Sequence, residues 1–263
     1  MNVSQNVLMK SVDEHGVCTL TINRPEAMNS MNGELVHALA DTFAALADQT
    51  EIRVIILTAQ GDKVFCAGAD LKERKQMSDV QVSQRISDYK TTFERIANVP
   101  KPVICAINGY AFGGGLEIAL ACDFRIVAQE TSLGLTELGL GIIPGAGGTQ
   151  RLPRLIGVSK AKELMFTARR LSGLEALEWG VVNRCVPRAE LLGEAHEFAM
   201  EMVKSAPIAL AQAKRAIDQG MQVDLASGIQ IEAECYAEVI PTEDRLEGLA
   251  AFAERRTPIW KGR

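Results

Sequence analysis

The chain has 263 residues, 47% of them hydrophobic and 23% charged, which is ordinary for a globular protein with a large buried core. A formal net charge of −5 argues against a general polyanion binder, because neutralising phosphates requires clustered lysine and arginine. We therefore expect no nucleic-acid partner.

The N-terminus and the apolar segments predict where the protein resides. The first residues lack a signal or transit pattern, and every apolar stretch is too short to span a bilayer. The six cysteines are scattered without a C-x-x-C pair, which favours reduced thiols and offers no metal or redox motif. We expect a cytoplasmic protein that contacts no membrane and holds no metal.

The first two-thirds of the chain alternate between strands and helices. Four apolar or β-branched runs predict strands: Val17–Ile22, Arg53–Ala59, Pro102–Ile107 and Phe124–Gln129. An apolar stripe predicts a helix over Gly33–Gln49, and a capping box at Ser78 and Gln81 starts another that runs towards Asn98. Strands separated by helices favour a mainly parallel sheet in an α/β fold.

After about Ser159 the pattern becomes nearly all helical. Ser172 and Glu175 form a second capping box, and Gly180 is placed to end that helix. Further helices are predicted on both sides of the Ala206-Pro207 break, over Val223–Val239, and from about Thr242 onwards. Their apolar faces must pack on the core, on a neighbouring subunit, or on both.

Glycine runs beside two glutamates are the most informative local feature. Gly113, Gly114 and Gly115 precede a helix, and unpaired N–H groups at such a start can bind a carbonyl oxygen that gains negative charge. Glu117 lies in the first turn, where the helix dipole favours its ionised form and suits a base. The alternative is a tightly packed helix start whose glutamate only compensates the dipole.

Two more segments complete the candidate site. Glu137 has the apolar neighbours Ile142, Ile143 and Pro144, which should raise its pKa as a general acid requires, unless it is an exposed loop carboxylate. The turn at Ala67, Gly68 and Ala69 exposes further amides, and the following cations Lys72, Arg74 and Lys75 suit a ligand with phosphates, although a solvated basic helix start is also possible.

Other chemistries lack their motifs. GAGGTQ at Gly145–Gln150 lacks the third glycine of a dinucleotide fingerprint, and the chain has no nucleotide phosphate loop and no G-x-S-x-G nucleophile elbow. The three histidines stand far apart. Cys66 is a conceivable nucleophile, but no base lies near it in sequence.

Taken together, the segments resemble the crotonase (enoyl-CoA hydratase/isomerase) superfamily over nearly the whole chain. The matching motifs are NRPEAMNSMN at Asn23–Asn32, FCAGADLKE at Phe65–Glu73, INGYAFGGGLEIALACD at Ile107–Asp123 and IIPGAGGTQRLPRLIG at Ile142–Gly157. The resemblance implies an α/β fold: a spiral of ββα units over residues 1–200 that carries the active site, then a helical oligomerisation region over 201–263. It also implies a homotrimer, or a homohexamer built from two trimers.

The resemblance implies a role for each matching residue. The Ala69 and Gly114 amides would form the oxyanion hole, and Glu117 and Glu137 would be the catalytic pair of a hydratase. Coenzyme A would arrive as part of the substrate, with no separate cofactor. The positions that match its binding site are Ala27, Ala67, Asp70, Leu71 and Lys72, with Phe252 and Arg255 reaching the coenzyme A of a neighbouring subunit.

Within the superfamily, GADLKERKQMS and the C-terminal QGMQVDLASGIQIEAECYAEVIPTEDRLEGLAAFAE look like the 3-methylglutaconyl-CoA hydratase branch. Arg74 or Lys75 could then pair with the distal carboxylate of that substrate. An animal member of this branch binds RNA through a lysine-rich helix, but Gly33–Gln49 contains no lysine or arginine. The alternatives are a Δ3–Δ2 enoyl-CoA isomerase that uses Glu137 alone, and an RNA-binding or structural member without catalysis.

Overall fold

The computed structural model describes residues 6–263, which form an α/β fold of ten strands and eleven α-helices. The strands are β1 (Leu8–Val12), β2 (Val17–Ile22), β3 (Val54–Ala59), β4 (Val64–Cys66), β5 (Val103–Ile107), β6 (Tyr110–Phe112), β7 (Phe124–Ala128), β8 (Ser132–Gly134), β9 (Leu171–Ser172) and β10 (Arg184–Val186). The helices are α1 (Gly33–Asp48), α2 (Leu71–Arg74), α3 (Asp79–Asn98), α4 (Gly114–Ala121), α5 (Gly148–Ile156), α6 (Val158–Phe166), α7 (Gly173–Trp179), α8 (Leu191–Val203), α9 (Pro207–Gly220), α10 (Leu225–Val239) and α11 (Glu243–Glu254).

The strands form two sheets. The larger has the order β1-β2-β3-β5-β7-β10, in which only the β1–β2 pair is antiparallel. The smaller has the order β4-β6-β8-β9, and its first three strands are parallel. The predicted mainly parallel arrangement is therefore confirmed.

The long strands form where the sequence has uninterrupted apolar runs. Every residue of β3 and β5 is buried, as expected for parallel strands covered on both faces. On one side of the large sheet α1 packs against α3, and on the other side α8 covers β3 and β5. The four predicted strands are thus confirmed to within one residue at either end.

The predicted helix starts are also confirmed. Ser78 and Gln81 exchange both hydrogen bonds of a capping box at the start of α3, and Ser172 and Glu175 do so at α7. Gly180 ends α7 in the left-handed conformation, with φ +79°.

The prediction that the C-terminal part is nearly all helical needs one correction. Two short strands, β9 and β10, lie within the region predicted to be nearly all helix after Ser159, and each extends the edge of a sheet. Two or three residues are too few to show a strand pattern in sequence. The division at residue 200 stays a prediction, and α8 continues to Val203.

Helices α9, α10 and α11 bury few of their own side chains. Across the three, the fully buried residues are Cys235, Asp244 and Ala251, while many apolar side chains face outward. Lys214 of α9 fastens this region to the core by an ion pair with Asp123, at 2.8 Å. No helix within residues 6–263 is both long and apolar enough to cross a membrane.

Candidate active site

The small sheet gathers the candidate residues at one edge. Strands β4, β6 and β8 run parallel, so their carboxyl ends meet. Ala69 follows β4, Gly114 follows β6, and Glu137 follows β8. Three segments far apart in sequence therefore open onto the same cleft.

Two backbone amides lie side by side in this cleft. Gly68 adopts φ +99°, a conformation that favours glycine, and its carbonyl accepts a hydrogen bond from Met31 N at 2.8 Å. A methyl group placed on Gly114 would lie 3.8 Å from the Ala69 nitrogen. Gly114 is the first residue of α4, so its N–H has no partner within the helix. Both residues are partly exposed, which leaves these donors open to a ligand oxygen.

The close packing of α4 on β4 brings the amides together. A methyl group on Gly115 would lie 2.1 Å from the Cys66 carbonyl oxygen, so only glycine allows this approach. Gly113, with φ +53° and ψ −124°, makes the sharp turn from β6 into the helix. The glycine run thus allows α4 to pack closely on β4 and directs the Gly114 amide into the cleft.

Glu117 is buried in the first turn of α4 and is held by a second loop. One of its carboxylate oxygens, Oε1, accepts hydrogen bonds from Ala146 N and Gly148 N, each at 2.8 Å. Burial raises the pKa of Glu117, while these two amides and the charge of Arg151 act in the opposite direction. The expectation that the helix dipole makes Glu117 readily ionised is therefore wrong in sign: burial outweighs the favourable donors.

Glu137 lies in the 3-10 turn Glu137–Leu140 and is only 8% exposed, which excludes an exposed loop carboxylate. Burial raises its pKa to about 7, and the charge of Glu117 adds to the rise. Its Oε2 atom is buried and has no hydrogen-bond partner among the described residues. A methyl group on Gly113 would lie 3.1 Å from Glu137 Oε1, so this carboxyl group rests against the start of α4.

A cavity of about 980 Å³ adjoins the loop that holds Glu117. Its wall carries the cations Arg74, Lys90, Arg151 and Arg154 and the single acid Glu94. Gln222, just beyond the end of α9, also lines it, so the C-terminal region contributes to the wall. The cavity is therefore positively charged on balance.

The residues predicted to bind coenzyme A fall into two groups. Ala67 N donates to Met28 O at 3.2 Å, which places the Ala67 loop beside the turn that contains Ala27. Asp70 caps α2 by accepting from Lys72 N and Glu73 N, and it pairs with Arg24 at 3.2 Å. Its carboxylate is thus occupied within the protein.

Leu71 and Lys72 of α2 are exposed next to this loop. Phe252 and Arg255 belong to the opposite end of the chain: Phe252 on α11 is 87% exposed, and Arg255 ends that helix at φ +55°. The structure brings the first five residues together near the cleft and leaves these two at exposed C-terminal positions.

The loop that holds Glu117 escaped the sequence interpretation. Ala146, Gly148 and Arg151 lie in GAGGTQR, which was noted as part of a family motif and tested as a dinucleotide fingerprint, but no residue in it was assigned a role toward Glu117. Their signal was the same as at Gly113–Gly115, a glycine run that bares amides before a helix. In the part of the chain from residue 6 onward, no group of three or more His, Cys, Asp or Glu side chains is arranged to hold a metal ion.

Comparisons with known proteins agree on one family. The family model described as enoyl-CoA hydratase/isomerase matches residues 13–263. The chain is 48% identical to the mouse enoyl-CoA hydratase domain-containing protein 2, mitochondrial, over 94% of this chain and 85% of that protein. It is 46% identical to the human methylglutaconyl-CoA hydratase, mitochondrial, over 95% of this chain and 75% of that protein. The crystal structure of enoyl-CoA hydratase from Bacillus anthracis matches with a TM-score of 0.96 and 50% identity, over 98% of this chain and 100% of that one.

Proposed function

The chain belongs to the enoyl-CoA hydratase/isomerase family, and on that premise we propose that it reversibly adds water, in the syn sense, to a trans-2-enoyl-CoA to give the 3-hydroxyacyl-CoA. The observation that carries this proposal is the pair of buried glutamates beside two adjacent backbone amides with no helical or sheet partner. An enzyme that only shifts a double bond needs one proton-transferring group, whereas hydration must both activate water and protonate carbon.

The amides would act on the thioester oxygen. Withdrawal of electrons through the thioester makes C3 electrophilic, and attack at C3 places negative charge on the oxygen. Ala69 N and Gly114 N are positioned as donors to that charge, and losing one such donor costs about 10²–10³ in rate. No metal or redox group is required for this step, and coenzyme A enters as part of the substrate.

The two carboxyl groups would divide the proton transfers. Glu117, aimed by the Ala146 and Gly148 amides, takes a proton from the water whose oxygen bonds to C3. Glu137, with a pKa raised to about 7 by burial and by Glu117, delivers a proton to C2. The water thus supplies the hydroxyl group. Return of a proton from Glu117 to Glu137 through solvent restores both carboxyl groups, so the net change is one added H₂O. Because the two groups influence each other, they titrate as a pair and can exchange roles in the reverse reaction.

The direct test follows the loss of enoyl-thioester absorbance with crotonyl-CoA. Glu117→Gln and Glu137→Gln should each lower kcat by about 10²–10⁴, the usual contribution of a general acid or base. Near-wild-type hydration by both variants would refute the proposal. If instead 3-enoyl-CoA turnover survives Glu117→Gln while hydration was never present, the protein is an isomerase that uses Glu137 alone.

The charge of the cavity supports a finer proposal about the substrate. Of the two cations predicted to meet a distal carboxylate, Arg74 lines the cavity, and Lys90 lies on the same wall. This favours an acyl chain that ends in a carboxylate, as in 3-methylglutaconyl-CoA, the substrate class named for the human relative. Arg74→Ala should lower kcat/KM for 3-methylglutaconyl-CoA about tenfold more than for crotonyl-CoA. Lys75→Ala is the matched control, and an equal loss on both substrates would remove Arg74 from this role.

The exposed apolar side chains of the last helices support assembly into a homotrimer or a homohexamer. Leu225, Leu249 and Phe252 are 81%, 62% and 87% exposed, more apolar surface than isolated side chains of a monomer usually show together. Light scattering coupled to gel filtration should give three or six times 28.5 kDa. A monomer mass would refute this. The cytoplasmic location stays a prediction, since the relatives named above include mitochondrial proteins.

A further inference from the structure

Arg151 is a half-buried cation beside the candidate cleft that donates to the protein backbone. It lies in the first turn of α5, and its Nη1 donates to Ala146 O at 3.0 Å. A methyl group placed on Gly147 would lie 2.1 Å from the same nitrogen, so the guanidinium group lies directly over the Gly147 backbone. Gly147 itself has φ +110°, which favours glycine.

The peptide that Arg151 holds is the one that holds Glu117. Ala146 donates its N–H to Glu117 and accepts from Arg151 through its carbonyl, so one residue joins the carboxylate to the guanidinium. Gly148, on the other side of Gly147, supplies the second amide. The space around that amide is closed, because a methyl group on Gly148 would lie 3.0 Å from Glu117 Oε1, Leu135 and Pro144.

We propose that Arg151 is a positioning residue for Glu117: its guanidinium group fixes the Ala146–Gly148 turn, and the two amides of that turn hold the Glu117 carboxylate in place. This rests on the proposed function, because it assigns Arg151 to the water-activating glutamate. Arg151 itself touches no reacting atom in this role. It acts through the Ala146 peptide.

Glu117 and Arg151 interact with each other and with three further titratable groups. Glu137 lies close enough to Glu117 for the charge of Glu117 to raise the pKa of Glu137, so the pair disfavours a second negative charge. Arg151 is the cation that opposes the effect of burial on the pKa of Glu117. Glu94 of α3 and Cys122 at the end of α4 also influence the pKa of Arg151. Removing Arg151 therefore leaves Glu117 buried without an opposing cation.

The kinetic test compares two substitutions that separate charge from geometry. Arg151→Met removes both, so kcat with crotonyl-CoA should fall about tenfold or more, and the acidic limb of the kcat/KM profile should move to higher pH. Arg151→Lys retains the charge but not the planar fork over Gly147, so its acidic limb should stay near that of the wild type while kcat remains low. The matched control is Arg95→Met, which removes another arginine-to-carbonyl bond, from Arg95 Nη1 to Ala40 O at 3.1 Å, away from the cleft.

A second measurement does not depend on turnover. Infrared spectra recorded over a pH series, from which those of Glu117→Gln are subtracted, report protonation of the Glu117 carboxyl group directly. Its midpoint should be higher in Arg151→Met than in the wild type and in Arg95→Met. If Arg151→Met matches Arg95→Met in both midpoint and kcat, the positioning role is overturned. If the midpoint moves but the wild type never hydrates enoyl-CoA, the positioning role stands and the proposed function fails.

Discussion

The two candidate carboxyl groups are buried for different structural reasons. Glu117 is surrounded by donors, whereas Glu137 has a buried oxygen atom without any hydrogen-bond partner in the described chain. A carboxyl group in the second situation favours its neutral form, which is the form that donates a proton. The cost of keeping Glu137 ionised should therefore appear in the stability of the protein.

Glu137→Gln should stabilise the protein relative to the wild type above pH 7, and much less below pH 4.5. The folded-state pKa of about 7 lies above the ordinary value of 4.5, so the wild type has the full benefit of the neutral group below pH 4.5 and loses it as the pH rises to about 7. The difference between these limits is about 2 kcal/mol, after allowing for solvent screening at the open cleft. Urea unfolding of both proteins at pH 4.5, 6 and 8 measures it, and a pH-independent difference would contradict the assignment.

At the scale of elements, helix α4 carries candidate catalytic residues and is also packed tightly in the core. Its eight residues carry both Gly114 and Glu117, and nearly all of them are buried. The contact of Gly115 with the backbone of Cys66 sets how closely α4 approaches β4. The same contact sets the separation of the Gly114 and Ala69 amides, so the oxyanion site depends on a glycine that contributes no donor of its own.

Gly115→Ala should destabilise the fold by at least about 3 kcal/mol, because the added methyl group meets a backbone carbonyl at 2.1 Å that cannot move alone. Gly114→Ala is the matched comparison. Its methyl group would meet the end of the flexible Met31 side chain at 2.6 Å, which can turn away. Thermal unfolding followed by circular dichroism distinguishes the two. Equal melting temperatures would show that α4 can shift away from β4.

How much of this arrangement the sequence predicts depends on element length. The runs that form β3 and β5 were predicted because five or six consecutive buried residues leave an apolar run. Strands β4, β6 and β8 were not predicted, since three residues carry no readable period, and yet these strands align the site.

In the candidate site, too, local motifs were predicted from the sequence and contacts between distant segments were not. Ala69, Gly114, Glu117 and Glu137 were named from local motifs, and the structure places them at one cleft. The hydrogen-bond partners of Glu117 were not predicted from the sequence. Ala146 and Gly148 lie 29 and 31 residues further along the chain and meet Glu117 only after folding. For that reason the first-turn position alone gave the wrong direction for its pKa: tertiary burial outweighs the local dipole.

At the scale of the whole molecule, the C-terminal helices depend on a few attachments to the core. Arg53 donates to the carbonyls of Val203 and Ser205, and Trp260 donates to that of Lys204. Lys214 adds an ion pair to these attachments: its ammonium group binds the Asp123 carboxylate and also donates to Lys101 O. Because Gln222, just after α9, lines the cavity, the position of α9 also affects the candidate site.

Lys214→Met should lower the free energy of unfolding by about 3 kcal/mol at neutral pH, since it leaves the largely buried Asp123 carboxylate without its ion-pair partner. Burial already raises the pKa of Asp123, and Lys214 opposes that rise. Without the lysine, the pKa of folded Asp123 rises further above its ordinary value, so lowering the pH favours the folded variant and the loss should shrink from pH 8 to pH 5. Urea unfolding at both pH values and one protein concentration measures this, with the exposed Lys204→Met as the control.

Asp123→Asn combined with Lys214→Met should recover part of the loss at pH 8. Equal midpoints for Lys214→Met and Lys204→Met would mean that the apolar contacts alone hold α9 on the core.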